Sequence, residues 1–422
     1  MTNSTARLRR IAVLAVAALG TCMLTALPAT ADTAHSLAYG INTNGGIAVA
    51  ANTSMRCDVT SAACTAALDG TATGSNLNNN RFNGVYVDVD SDATTFSSSS
   101  AQLTIPAGST VLYALLTWGG DSTNAGRNTV RMETPAGGGY STVTAGTLAT
   151  SAGNSYAGWT DITAQVQAAG SGTYTIANVR GDVGKTDSYA GWQIVVAYRD
   201  PAAPARNLAV FTGYKQISSS IGGSATININ GFQTPAVGDV NAGVTVLGFE
   251  GDLGLTGDRL QLEGNNLTDA ANPATNAFNS SITRDGSYIT DRSPTDVNTL
   301  GVDSDTFITT NAIANNAIDA DLTLTTTNDV YNVATVAVAT DLYATAQTDA
   351  AADDQGEYST TGGNHIIAYL GAGATSSSGG LIASGETATV VFRVRIDPAL
   401  TAGGEILNTA TVTSTGQTVT SA

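Results

Sequence analysis

The residues best equipped for chemistry in this sequence are carboxylates. Asp88-Val89-Asp90-Ser91-Asp92 alternates three acids with other residues. On an extended strand all three point to one face at steps of about 7 Å, too far apart to share one ion; a turn beginning at Asp88 would instead gather them around calcium. A second acidic run, Glu250-Gly251-Asp252-Leu253-Gly254-Leu255-Thr256-Gly257-Asp258, is interspersed with glycines that let a chain bend around an oxygen-ligated cation. Asp88, Asp90, Asp92, Glu250, Asp252 and Asp258 are therefore the candidate ligands, and calcium is the cation they suit. Neither run matches the helix-loop-helix calcium loop with its terminal glutamate, and the competing reading is solvated turn acids on a protein acidic throughout. Asp303 and Asp305, in Val302-Asp303-Ser304-Asp305, form a weaker pair.

Other catalytic sets are incomplete. His35 and His365 are the only histidines. They lie in unrelated segments without a partner motif, so each reads as a strand or surface residue rather than a base. No Gly-x-Ser-x-Gly elbow and no paired-histidine zinc motif occurs. Gly184-Lys185-Thr186 resembles the end of a phosphate-binding loop, but Val179 stands where the first glycine belongs, and a hairpin turn is the better reading. Trp118 and Trp192 sit in apolar strand patterns and belong in a core, whereas Trp159, beside Gly158 and near Asp161, is the best placed for stacking on a sugar. An Asp and a Glu facing each other across a cleft would also suffice for glycoside hydrolysis, a pairing that linear spacing does not reveal.

The elements that must position these residues are strands. Residues 101–105 alternate and stop at Pro106-Ala107-Gly108, and a longer apolar strand follows over 111–118, so the two are expected as a hairpin or as neighbours. Further strands are expected over 173–179, 192–198, 208–214, 225–229, 244–249, 322–326, 333–342, 366–370, 388–396 and 407–412, where Thr, Val, Ile and Tyr suit a pleated surface. The one helical candidate is 161–169, with Asp161 as its cap. The fold class is therefore all-β, of sandwich or jelly-roll type.

The first 31 residues read as a secretory signal: Arg7, Arg9 and Arg10, an apolar run from Ile11 to Leu27, then Ala29-Thr30-Ala31 before Asp32. Cys22 offers a lipoprotein alternative, with Thr21 a poor residue before a lipidated cysteine. Without the signal's three arginines the formal charge goes from −17 to −20, which disfavours nucleic acid as a partner. No membrane-spanning run follows Ala31. Cys57 and Cys64, close in sequence and without further ligands nearby, read as one disulfide closing a short loop. A mature chain of about 390 residues exceeds one ordinary sandwich core, so at least two units are expected, with a boundary near Ala344.

A family resemblance rests on two sets of residues. Residues 379–390, then Phe392-Arg393-Val394-Arg395-Ile396-Asp397 and Asn408-Thr409-Ala410-Thr411-Val412, resemble the second half of a conserved repeat domain of exported bacterial proteins. Tyr86 to Asp92, Ser98 to Trp118, Ala190-Gly191-Trp192, Arg206-Asn207-Leu208, Glu250 to Asp258 and Asp341-Leu342-Tyr343 resemble the large domain that precedes such repeats, chiefly in actinobacterial surface proteins. The likeness spans most of the mature chain and implies an immunoglobulin-like C-terminal module of unassigned biochemical role. Only residues 344–352 precede the segment resembling Asp353 to Tyr358, so the repeat is truncated at its front. Such a partial sandwich must dock on the large domain, pair with another chain or stay mobile, and docking is the reading preferred here.

The expected organisation is thus a signal peptide over 1–31, a large β-sandwich-type domain over 32–344 and a partial immunoglobulin-like unit over 345–422. The expected role is a secreted or cell-surface structural or adhesin-like protein without catalysis, meeting an envelope or extracellular protein or glycan. The alternatives are a calcium-dependent carbohydrate-binding module and, behind it, a glycoside hydrolase.

Overall fold

The computed structural model describes residues 32–342 except 152, together with the segments 355–359, 365–371, 374, 378–381, 410–414 and 417–421. The expected signal peptide and the strand expected over 388–396 lie outside the described residues. The chain is all-β, as expected, and residues 32–342 build four stacked layers.

Layer one is a five-stranded sheet in the order Arg292–Ser293, Ser98–Leu103, Gly172–Ala177, Thr129–Glu133 and Ser141–Thr144. Layer four has four strands, Ser224–Asn230, Asp319–Thr326, Asp258–Leu262 and Asn265–Asn266. Between them lies a single eleven-stranded sheet whose centre is the long first strand, Thr33–Thr53. Residues 33–44 of that strand pair with Ala205–Ile217, and residues 45–53 pair with Ala190–Arg199. On one side the sheet continues through Thr110–Asp121, Ser155–Asp161 and Thr147–Thr150, forming layer two; on the other it continues through Tyr331–Asp341, Asn241–Phe249 and Val302–Thr310, forming layer three.

Three apolar cores separate the layers. Trp118, Trp192, Ile194 and Leu116 of layer two pack on Leu103, Tyr174, Ile176 and Met132 of layer one. Val244, Val246, Val336 and Phe211 of layer three pack on Ile227, Leu260, Leu322 and Leu324 of layer four. The opposite faces of layers two and three then meet through Leu115, Val195, Val210, Leu247 and Phe249. The inner strands are therefore buried on both faces, which is why 190–199 and 331–341 read as continuous apolar runs rather than as alternating ones. Glycines allow this close middle contact: a Cβ on Gly119 would lie 2.8 Å from the Phe249 ring, and one on Gly191 would lie 2.8 Å from the Val302 methyls. Polar pairs fix the register of the two faces, Thr117 Oγ1 with Thr335 Oγ1 at 2.8 Å and Gln193 Nε2 donating to Ser304 Oγ at 2.8 Å.

Three details differ from expectation. Ser98–Leu103 and Thr110–Asp121 are not neighbours: the Pro106-Ala107-Gly108 turn carries the chain from layer one to layer two, because each strand finds its partners in a different sheet. The turn at Gly184-Lys185-Thr186 likewise joins strands of different layers. The helix lies at Thr163–Ala169, where Asp161 Oδ1 accepts the Thr163 N–H at 2.7 Å, and a further helix, Ala62–Leu68, was unforeseen. The expected boundary at 344 falls among residues outside the description. Among the described residues beyond it are two hairpins, Gln355–Ser359 with His365–Tyr369 and Ala410–Ser414 with Gln417–Ser421.

Candidate functional site

The run from Asp88 to Asp92 follows the two-residue strand Val85–Tyr86 and lies exposed. Its carboxylates anchor a series of nearby contacts. Asp88 Oδ1 accepts from Ser98 Oγ at 2.8 Å, Asp90 Oδ1 from the Asp92 N–H at 2.9 Å, and Asp92 Oδ1 from the Thr94 N–H at 2.7 Å and hydroxyl at 2.6 Å. The other oxygen of Asp90 accepts from the Tyr140 hydroxyl. Each acid thus meets a different donor set, which is what short polar side chains do in turns.

The second run is an interior loop whose acids part company. A Cβ on Gly251 would lie 2.2 Å from the Phe278 carbonyl oxygen, so this glycine permits close packing of two backbone segments. Glu250 follows Phe249, which packs in the core between layers two and three, and Asp252 is buried two residues further on. The Glu250 N–H donates to the Gly301 carbonyl at 2.9 Å, and the residue is held at φ +83°. Asp187, itself at φ +61° and exposed, is close enough for its charge to act on the Glu250 carboxyl. Asp252 Oδ1 accepts the Asn79 N–H at 3.0 Å, and the Asp252 N–H donates to Asp329 Oδ2 at 3.1 Å. Burial pushes Asp252 and Asp329 each up to about 7 and Glu250 well above its ordinary value, with neighbouring carboxylates adding to the effect. Asp187 and Asp329 carry no motif; only the fold brings them here.

Asp258 belongs to a different group, with Asp303 and Asp305 on Val302–Thr310. All three are fully buried. Residues 276–283 lie across them and supply donors. Asp258 Oδ2 accepts the Phe278 N–H at 2.6 Å, and Asp303 Oδ1 accepts the Ser281 N–H at 3.2 Å. Asp305 Oδ1 accepts the Thr283 hydroxyl at 2.6 Å and the Ser281 hydroxyl at 3.2 Å. The second oxygen of each carboxylate is sealed and has no hydrogen-bond partner, as are the amide oxygens of Asn276 and Asn279. The pair that looked weakest in the sequence is thus the most deeply enclosed. Among the described residues no three His, Cys, Asp or Glu side chains converge to hold a metal ion as they stand.

The remaining expectations resolve simply. Cys57 and Cys64 are disulfide-bonded and packed with Leu68 and Leu300, so the bridge also seats the 57–68 excursion on the turn before Val302. Trp118 and Trp192 are buried as expected. Trp159 is not a surface platform: it is 9 % exposed and packs in the core between layers two and three. Lys185 pairs with Asp182 at 2.6 Å in its turn. His35 lies on the first strand, and burial lowers its pKa to about 4, which leaves it neutral; the His365 side chain lies outside the described residues. No helix among the described residues is long and apolar enough to cross a membrane.

No family model matches the chain, and no curated protein sequence matches it. Two solved structures show partial likeness. The major capsid protein P2 from Bacteriophage PM2 aligns at 13% identity over 58% of this chain and 92% of that chain, with a TM-score of 0.18. N-glycanase F (PNGase F) aligns at 12% identity over 58% of this chain and 89% of that chain, with a TM-score of 0.17. Likenesses this distant support no argument about fold or function.

Proposed function

We propose that the chain is an exported, non-catalytic structural body of the cell exterior, with a partial immunoglobulin-like unit after the four layers, and that it meets an envelope or extracellular protein or glycan through its outer surfaces. The observation that carries this reading is the closed Cys57–Cys64 bridge, because disulfides persist in oxidising compartments outside the cytosol. The basic, apolar and small-residue order of residues 1–31 points the same way.

A structural role also fits what the acids do. Glycosidases need two carboxyl groups at least about 5 Å apart, with the scissile bond between them. Asp258, Asp303 and Asp305 are fully buried, where a sugar linkage does not reach them. With Trp159 taken up by the core, sugar stacking loses its best platform. The test is fractionation of cells expressing the full chain, with the amino terminus sequenced. Recovery from the medium or cell surface, beginning at Asp32 and with the bridge intact, is the expected result; recovery only from the cytoplasm rejects the reading.

A further inference from the structure

Where glycine follows asparagine, the glycine nitrogen can attack the asparagine side chain, because no Cβ hinders its approach and the two groups are already neighbours in the chain. The sequence contains three such pairs, Asn44-Gly45, Asn83-Gly84 and Asn230-Gly231. The fold protects two of them. Gly45 is buried in the long first strand, its N–H donates to the Pro204 carbonyl at 3.3 Å, and both residues are paired, Asn44 with Ala205 and Gly45 with Arg199. Gly84 is also buried, and its N–H donates to the Lys185 carbonyl at 2.8 Å. A nitrogen held in this way is not free to turn on the preceding side chain. Asn230-Gly231 differs on each count. Both residues are exposed, and no described residue accepts the Gly231 N–H. Gly231 is at φ +91°, and a Cβ there would meet nothing nearer than Asn207 Nδ2 at 4.0 Å. Asn230 ends Ser224–Asn230, the outer strand of layer four, which is paired on one side only. Rotation about Asn230 therefore loosens the end of an edge strand and not the middle of a sheet, and such ends open at the least cost.

We propose that Asn230 is a site of spontaneous covalent modification, at which the Gly231 nitrogen closes on the side chain and converts it to aspartate or isoaspartate, while the fold preserves Asn44 and Asn83. The Gly231 nitrogen gives its proton to water and attacks Asn230 Cγ. The N–Cγ bond forms, the Cγ–Nδ2 bond breaks, and Nδ2 takes a proton from water and leaves as ammonia. A second water then opens the five-membered imide, at Cγ to give aspartate or at the backbone carbonyl carbon to give isoaspartate. The sum is one water consumed and one ammonia released, with no oxidation or reduction. Either product puts a negative charge on a strand that has none, opposite Asp319, its cross-strand partner. A donor is lost as well. Asn230 Nδ2 donates to Asn228 Oδ1 at 3.1 Å, and Asn228 Nδ2 in turn donates to Asp321 Oδ1 at 2.9 Å and to Asp319 Oδ2 at 3.4 Å. Like charges directly opposite weaken a strand pair, so the modification loosens the free edge of layer four.

The full chain is treated with hydroxylamine, folded or in denaturant, because hydroxylamine opens the imide and leaves the glycine as a new amino terminus. In native buffer the expected result is one cut, giving a fragment that begins Gly231-Phe232-Gln233; in denaturant, fragments beginning at Gly45 and Gly84 appear as well. The folded chain is also aged at pH 7.5 without hydroxylamine and followed by peptide mapping in a mass spectrometer. Exchange of amide for acid is expected at Asn230 about tenfold or more faster than at Asn44 or Asn83. Asn230→Gln, whose longer side chain closes a less favourable ring, is expected to lose the cut before Gly231 and, in denaturant, to keep the other two. A native cut at Gly45 or Gly84 as fast as at Gly231 overturns the proposal. So does a folded chain that resists at Gly231 and is cut there only when unfolded, or a Gly231 fragment that persists in Asn230→Gln. Amide hydrogen exchange along Ser224–Asn230, expected to be faster in Asn230→Asp than in the native sequence, reads the loosened edge, and equal exchange overturns that consequence.

Discussion

At the scale of single residues, burial overrides what a side chain's sequence neighbours suggest. Trp159 is the clearest instance. Its place in the core between layers two and three predicts that Trp159→Ala lowers unfolding free energy by about 3–5 kcal/mol in a denaturant titration, the usual effect of emptying a large aromatic site. A solvent-facing stacking residue would change it little. The disulfide makes a second case. The Cys57–Cys64 loop is short, so chain entropy alone sets its contribution at roughly 2–3 kcal/mol. Cys57→Ser with Cys64→Ser is expected to shift the urea midpoint accordingly. A larger loss would mean that the contact with Leu300 depends on the bridge as well.

At the scale of elements, the glycines of the inner strands matter most. Gly119→Val would drive methyl groups into the Phe249 ring, and overpacking of this kind costs about 1–3 kcal/mol. Calorimetry on that variant checks whether layers two and three are in contact as tightly as described. Strand periodicity made several of the longer strands legible beforehand: 192–198, 208–214 and 244–249 fall inside observed strands, and 333–342 overruns Tyr331–Asp341 by one residue, whereas Ser155–Asp161, Asp258–Leu262 and Val302–Thr310 were not foreseen. The longest strand was not legible. Thr33–Thr53 contains Gly40, Gly45 and Gly46 along with three asparagines, a composition that reads as turns, and it is extended only because two sheets pair with it. The acidic sites were half legible for a similar reason. Glu250, Asp252 and Asp258 are visible as a run, but which of them share a neighbourhood depends on Asp187, Asp329 and Asp303, brought in from distant strands and loops. Exposure was not legible either, since Asp88 and Asp303 sit in similar alternating patterns and end in opposite environments.

For the whole molecule, buried acids should make stability depend on pH. Asp252 and Asp329 have folded values of about 7, above the ordinary carboxyl range, so between about pH 4 and 7 the folded state binds more protons than the unfolded one. Their contribution is complete below about pH 4 and is lost as pH rises through about 7. The formal charge of −17 acts in the same direction through self-repulsion. Melting temperatures measured from pH 4 to 8 are expected to fall, and Asp252→Asn combined with Asp329→Asn should flatten the slope. A profile that rises toward pH 8 would show that these groups are ionised in the folded protein.

The first strand also dictates the order in which the protein can assemble. Of all its pairings, the one nearest in sequence, Thr53 with Gly191, waits about 140 positions, and the earliest residue, Thr33, waits for Tyr214. A ribosome must therefore finish more than half of the polypeptide before the centre of the eleven-stranded sheet can close. Until then the leading segment remains a loose thread, the state in which a polypeptide passes most readily through a narrow pore.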